Sequence, residues 1–457
     1  MRIKLGIPLS LGEIAVATGG RLLTQKDKLI NFISTDTREL MYGDLFIAIQ
    51  GVKFDGENFV KEAKEKGAFA LSSSPENADI LHEKSSSALL SLAEYYSKTL
   101  PFILYNIGIT GSVGKSTTKE FLKIILSQKF NTHASSGNYN NEIGMPMSML
   151  SAPKESQILL MEMGMNHSGE IGRLSKCLHP NFGLITNIGT AHIGNLGSRE
   201  KIASAKLEIC DGMEDGVLFV PYDEPLLQGV KNKITFSHNN PCADFSLTNE
   251  AGPGLTVLIK GKKCINVDFA PLGEHHRKCL ISALAIAITS GLSEEEIRKG
   301  VCLISDDNIR QKRIFRENYT FYTDFYNSSY ESVSALIRTA SELVQGKNKS
   351  IVLGDILELG NMSREIHFNV GKMLNPDDFN FLFLFGKEVE LTGLSAIENG
   401  FPKERIFYNN DLSSPQKTAE QIRTNCSLGE TIFMKASRGI KLERILECFE
   451  KRKEKNE

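Results

Sequence analysis

At 457 residues the chain is too long for one hydrophobic core and predicts about three domains. Hydrophobic residues (41%) and charged residues (24%) are those of a globular protein, and a formal net charge of -2 supplies no drive toward nucleic acid or anionic lipid. Eight cysteines with no C-x-x-C predict isolated reduced thiols in the cytoplasm, and no apolar run approaches the roughly 20 residues of a membrane span.

Met1 to Leu9 lacks the apolar core and small-residue cleavage site of a secretory leader. Residues 1–100 form a first region. Asp36-Thr-Arg38 lies in a turn, and Gly43 to Gly51 predicts another turn followed by a short strand. Helices are predicted over 59–68 and 87–99, and Pro101 marks a break. From 101 to 304, strands at 102–109, 158–163 and 182–188 alternate with helices at 116–129, 168–178 and 198–214. That alternation predicts a parallel, doubly wound sheet with right-handed crossovers. A strand-like patch over 234–268 reads as an antiparallel addition, and helices over 277–290 and 293–304 close the region. Past Asp306-Asp-Asn-Ile-Arg310 the alternation restarts, with strands at 319–324, 350–354, 380–385, 405–408 and 430–435. Residues 305–457 thus predict a second α/β domain without a glycine loop of its own. Lys451 to Glu457 is a charged tail.

The chemistry centres on Gly108-Ile-Thr-Gly-Ser-Val-Gly-Lys-Ser-Thr-Thr118. Strand, glycine-rich turn and helix aim backbone N–H groups and a helix N-terminus at a phosphate. Gly111, Ser112, Val113 and Gly114 form the turn, Lys115 adds a point charge, and Ser116 or Thr117 offers a hydroxyl to magnesium. Ile109 stands where the strict pattern has its first glycine, so the match is G-x-x-G-K-[ST]. In an open α/β sheet the site lies outside the carboxyl ends of the strands, where Glu162 and His192 also fall. A carboxylate beside a triphosphate is repelled, so Glu162 there requires a divalent cation between them.

Further blocks extend the pattern: Gly137-Asn-Tyr-Asn-Asn-Glu-Ile-Gly-Met-Pro146, Glu162-Met-Gly-Met-Asn-His-Ser-Gly-Glu-Ile171, Thr186-Asn-Ile-Gly-Thr-Ala-His192 and Ala205-Lys-Leu-Glu208. Asp324-Phe-Tyr-Asn327, Leu353-Gly-Asp-Ile-Leu-Glu-Leu-Gly360 and Lys435-Ala-Ser-Arg-Gly439 follow. In order and spacing the chain resembles the ATP-dependent Mur ligases of bacterial cell-wall synthesis over nearly its whole length. Among them it looks most like the branch that adds D-alanyl-D-alanine to UDP-N-acetylmuramoyl-tripeptide.

The resemblance implies a monomeric three-domain α/β enzyme. Its parts would be a small UDP-substrate-binding domain (1–100), a central P-loop mononucleotide-binding domain (101–304) and a Rossmann-like C-terminal domain receiving the dipeptide (305–457). It implies that Lys115 holds the β- and γ-phosphates of ATP, and that Ser116 or Thr117 and Glu162 hold one magnesium ion while His192 helps hold a second. Lys206 would be carbamylated, turning a cation into an anion that supports the metals. Arg313, with Arg310 as a rival, and Asp324 would meet the nucleotide. Asn327, Ser328, Lys435, Ser437 and Arg438 would receive the dipeptide and the reacting carboxylate. Asp36, Thr37 and Arg38, with Asn138, Asn140, Asn141 and Glu142, would meet the muramyl-peptide.

One departure stands out. Where the family carries Gly-x-His-Asn-x-x-Asn near the adenine, this chain has Gly273-Glu-His-His-Arg-Lys-Cys279, so His276 and Cys279 replace both asparagines. The competing readings are the ligase adding the third peptide residue, a folylpolyglutamate synthase, and a nucleotide-gated binding module without synthetase chemistry. The first usually carries an Asp-Asn-Pro-Arg block, which is missing here.

Overall fold

Short apolar runs bounded by turn residues become strands buried on both faces, the signature of parallel sheets covered by helices. Ile158–Glu162 is the plainest case, with every residue buried. The computed structural model describes residues 1–51, 54–249, 254–269, 273–305, 312–344 and 348–450. They contain three sheet regions, the α/β architecture expected. They group into two units: one of Met1–Thr110, Leu126–Ile185 and Ala205–Phe219, the other of Gly111–Ile125, Thr186–Ser204 and Val220–Glu457.

In the first unit, strands β1 (Arg2–Ser10), β2 (Arg21–Leu22), β3 (Leu29–Ser34), β4 (Leu45–Ile47), β5 (Phe69–Ser72) and β6 (Ile80–Leu81) form a sheet ordered β1-β3-β4-β5-β6-β2. The run through β1 was not anticipated, because its alternation is broken by a register shift between Lys4 and Leu9. The expected helix over 59–68 is shorter, a 3-10 turn (Gly56–Phe59) leading into Val60–Glu65. Tyr96, on the helix Ser85–Thr99, is fully buried. Its hydroxyl donates to the Ala152 carbonyl at 2.7 Å and accepts from the Ile7 amide at 2.8 Å.

The same unit holds the parallel strands β7 (Tyr105–Thr110), β8 (Thr132–Ala134), β9 (Ile158–Glu162), β10 (Phe182–Ile185) and β11 (Val217–Pro221). Their order, β11-β10-β7-β9-β8, places β7 between β9 and β10. The order reverses there, so the crevice at the carboxyl end of β7 is a topological switch point, where ligands of such sheets bind. Strand β7 begins later than the expected residue 102, since Phe102 and Leu104 stay exposed in the preceding turn. The expected helix over 198–214 divides into Arg199–Leu207 and a 3-10 segment, Glu208–Gly212.

In the second unit, β12 (Lys233–Ser237), β13 (Phe245–Asn249), β14 (Gly254–Ile259) and β15 (Lys262–Asp268) form the added patch. It is antiparallel except at β12 and β13, which run parallel. Helix Glu274–Thr289 starts three residues before the expected position, directly after Gly273 at φ 98°. Helix Glu294–Cys302 is closed by a capping box between Ser293 and Glu296. The last sheet contains β16 (Lys312–Arg316), β17 (Tyr319–Asp324), β18 (Lys349–Gly354), β19 (Leu382–Phe385), β20 (Ile406–Asn409) and β21 (Thr431–Lys435). Its order is β16-β17-β21-β18-β19-β20, parallel except for the β16–β17 hairpin. Phe321, Phe383, Ile432 and Met434 fill its core. Register aligns Asp324 of β17 with Lys435 of β21.

Candidate active site

The turn after β7 works through backbone conformation. Gly111 and Gly114 sit at φ 146° and 84°, values that strain any side chain. A Cβ on Gly111 would lie 1.8 Å from the Thr186 hydroxyl, and one on Gly114 would lie 3.2 Å from the Cys279 sulfur. The turn is braced from the Thr186-Asn187 segment. Asn187 Oδ1 accepts from the Ser112 and Val113 amides at 3.0 and 2.9 Å, and the Thr186 hydroxyl donates to the Val113 carbonyl at 2.6 Å. Two amides expected to point at phosphate are thus committed to Asn187. The helix Lys115–Leu126 follows directly, with Ser116 and Thr117 buried in its first turn. Lys115 Nζ donates to the Gly111 carbonyl at 2.7 Å, which holds the charge over the turn. Asn187 had no role assigned from sequence; the signal available was its place directly after a buried strand.

A cavity of about 270 Å³ opens beside the turn, lined by Val113, Gly114, Thr118, His275, Cys279 and Arg338 among others. Burial, helped by the neighbouring His276, pushes the His275 imidazole down to about 3, so it is neutral. Burial also pushes the Cys279 thiol up to about 11. His276 is buried at 5% exposure and is absent from the cavity lining, while His275 faces it. Of the two histidines, His275 is therefore the one that lines the cavity.

His192 lies in a left-handed backbone conformation at φ 65°, with Nδ1 2.8 Å from a Glu358 carboxylate oxygen. That contact holds the Glu358 carboxyl below its ordinary value against the opposing effect of burial.

In the first unit, Glu162 ends β9 at 1% exposure and accepts a 2.8 Å hydrogen bond from the Asn140 amide. The Gly164 amide donates to the Asn140 carbonyl at 2.7 Å. Asn140, expected at the muramyl-peptide, is thus engaged in orienting Glu162. Asn141 is likewise occupied, because its side chain accepts from the Gly144 amide at 2.8 Å and opens the helix Gly144–Leu150. Asn138 stays exposed, and Glu142 pairs with Arg173. Lys206 is 2% exposed. Glu208 accepts from Ser168 Oγ (2.8 Å) and from the Gly169 amide (2.7 Å), anchoring the loop before the helix Glu170–Leu178. Asp36 is held far below the carboxylate range by its bonds to Arg38, Thr37 is buried, and the Arg38 side chain is 86% exposed.

At the carboxyl edge of the last sheet, Lys435 is 1% exposed and donates to Asp324 and to the Asn327 carbonyl, both at 2.6 Å. The two residues assigned separately to nucleotide and dipeptide form one ion pair, because parallel register puts them side by side. Ser437 Oγ accepts from the Leu357 amide at 2.9 Å. Ser328 is buried and Arg438 is exposed. Arg313 is exposed on β16, its guanidinium 4.8 Å from the Phe315 ring centre; Arg310 lies outside the described residues. Among the described residues no three His, Cys, Asp or Glu side chains gather as a metal centre, and no helix is long and apolar enough to cross a membrane.

The Mur ligase middle domain matches residues 109–287, and the Mur ligase family catalytic domain matches residues 29–105. The chain is 36% identical over 435 residues to the UDP-N-acetylmuramoyl-tripeptide--D-alanyl-D-alanine ligase of Bacillus subtilis, covering 92% of this chain and 93% of that protein. The chain belongs to the Mur ligase family. This Mur ligase is 31% identical to the Treponema pallidum ligase of the same name, over 96% of this chain and 98% of that protein. Its fold matches a crystal structure of MurF from Acinetobacter baumannii with a TM-score of 0.85 at 28% identity, covering 97% and 99% of the two chains. MurF ligase from Thermotoga maritima in complex with ADP matches with a TM-score of 0.78 at 26% identity, over 91% of this chain and 96% of that one. Like those relatives, this Mur ligase is an ATP-dependent ligase of peptidoglycan synthesis.

Proposed function

We propose that this enzyme acts in the cytoplasm as a monomer and joins D-alanyl-D-alanine to UDP-N-acetylmuramoyl-tripeptide. Residues 1–100, 101–304 and 305–457 serve as its UDP-substrate, ATP and dipeptide domains. The carrying observation is the braced glycine turn with Lys115 over it, in a chain alike end to end to ligases of that name.

The reaction runs in two displacements. A carboxylate oxygen of the tripeptide attacks the γ-phosphorus of ATP; ADP leaves and an acyl phosphate forms. The dipeptide amine then attacks the acyl carbon, phosphate departs, and the nitrogen gives up a proton. An anion must attack a polyanion, so neutralising charge and aligning the reactants carry the rate. Lys115 and the N-terminus of the helix it opens supply fixed positive charge for the β- and γ-phosphates. Lys435 and Arg438 offer cations at the other sheet edge for the dipeptide and the reacting carboxylate, with Asn327, Ser328 and Ser437 beside them. Arg313 and Asp324 serve the nucleotide side, and Asp36, Thr37, Arg38, Asn138 and Glu142 the muramyl-peptide side.

Magnesium fits the donor chemistry. The Ser116 hydroxyl and the Glu162 carboxylate are hard oxygen donors of the kind magnesium takes. His192 is the candidate for a second ion, and magnesium held by these residues would supply positive charge to offset the phosphate oxygens. Lys206, 2% exposed, is the candidate for carbamylation that the likeness to the family implies. Capture of carbon dioxide by the neutral amine, with release of one proton, leaves a carbamate able to accompany the metals. The deciding assay is phosphate release, which should require ATP, UDP-muramyl-tripeptide and D-Ala-D-Ala together. Release from ATP alone would overturn the reading in favour of a nucleotide switch.

A further inference from the structure

The turn 189–194 is held by two glutamates distant in sequence. Glu331, in the first turn of the helix Tyr330–Leu343, accepts from the Thr190 amide at 2.8 Å and from the Thr190 hydroxyl at 3.2 Å. The approach needs a bare Gly189, since a Cβ there would come within 2.6 Å of the Glu331 carboxyl carbon. Glu358 engages the other end twice. Its carbonyl accepts from the Gly194 amide at 3.1 Å, and its carboxylate lies 2.8 Å from His192 Nδ1. A Cβ on Gly194 would sit 2.6 Å from that carbonyl, so glycine is again required. Glu358 and His192 both adopt positive φ, a strain that persists only where surroundings hold it.

We infer that Glu358 and Glu331 are positioning residues for His192: Glu331 fixes the turn, and Glu358 fixes the imidazole. A carboxylate 2.8 Å from Nδ1, although not aligned as a hydrogen bond to the ring, favours the ring proton there by its charge and leaves the lone pair on Nε2. The ring is then preset for one nitrogen to serve a cation, an assignment that rests on the role given to His192 above. The last α/β region thereby completes the turn that carries His192.

The test uses the full-length enzyme without nucleotide or metal, and then with magnesium. In Glu358→Ala, His192 should lose its Nδ1–H tautomer in 15N imidazole spectra, and amide exchange at 190–194 should accelerate at least tenfold. Glu331→Ala should accelerate exchange at Thr190 while leaving the tautomer unchanged. Glu358→Gln, which keeps an acceptor, should restore most of both signals. The magnesium concentration for half-maximal rate should rise about tenfold in Glu358→Ala, the low end for an outer partner of a ligating histidine because the Glu358 side chain is 55% exposed. The KM for D-Ala-D-Ala should hold. Unchanged spectra and unchanged exchange in Glu358→Ala would overturn the inference. Altered spectra with unchanged magnesium dependence would uphold the positioning and remove His192 from the metal reading.

Discussion

Two sheet edges in this enzyme hold charged groups, and they are built differently. After β7 the charged group is held by backbone conformation, through Gly111 and Gly114 at positive φ and a lysine bonded to a carbonyl of its own turn. At the ends of β17 and β21 the charged groups form a largely buried ion pair, Asp324 with Lys435, assembled by register between strands 111 residues apart in sequence. A backbone turn gives up its lysine with little effect on the fold, because the glycines and Asn187 hold the shape. A buried pair does not, because removing one partner strands a charge.

Lys115→Ala tests the first half of that contrast and should show the largest effect. Phosphate release should fall by roughly three orders of magnitude, as when a principal electrostatic stabiliser is removed, while the urea midpoint stays put. A shifted midpoint would break the distinction between the two edges. Lys206→Ala should lower the rate by roughly two orders of magnitude, the scale of one lost electrostatic group, and abolish any dependence on bicarbonate. Unchanged activity at every bicarbonate concentration would remove the carbamate.

Asp324→Asn probes the second half. Unfolding stability should drop by roughly 2–3 kcal/mol, less than the 3–5 of a fully enclosed pair, because Asp324 keeps 26% exposure. Gly111→Ala should cost about 1–3 kcal/mol from the strained backbone and weaken ATP binding, since the new methyl meets the Thr186 hydroxyl at 1.8 Å. A neutral result would mean that the turn owes its shape to something other than its glycines.

The smallest effect concerns His275. Its folded value of about 3 lies below the ordinary 6.5, so between those limits the unfolded chain binds more protons than the native one. This group therefore makes no demand above pH 6.5 and destabilises progressively as pH falls toward 3. Its slope is at most about 1.4 kcal/mol per pH unit. His275→Gln should flatten the stability curve between pH 6.5 and 5; an unchanged slope would place the ring in water.

Much of the fold was legible because its strands are short and either buried throughout or buried at alternate residues. The strand read over 319–324 is Tyr319–Asp324, and the one read over 158–163 is Ile158–Glu162. The N-terminal strand escaped because a register shift disrupts its alternation. At the site, the turn from Gly111 to Thr117 was readable since every part is consecutive. The contacts that Asn140 and Asn141 make within the protein were not legible, because an asparagine in a loop looks the same whether it meets substrate, a carboxylate or a helix end. Asn187 was overlooked as a brace for the same reason.

By itself the sequence determined the period of each element, the location of the glycine turn and the order of the family's blocks, all of which depend on neighbours along the chain. Only tertiary structure decided that Lys435 pairs with Asp324, that His275 and not His276 faces the cavity, and that Glu358 reaches His192. Those facts rest on strand register and on which side of a helix faces a wall, and both are settled by packing among residues a hundred or more positions apart.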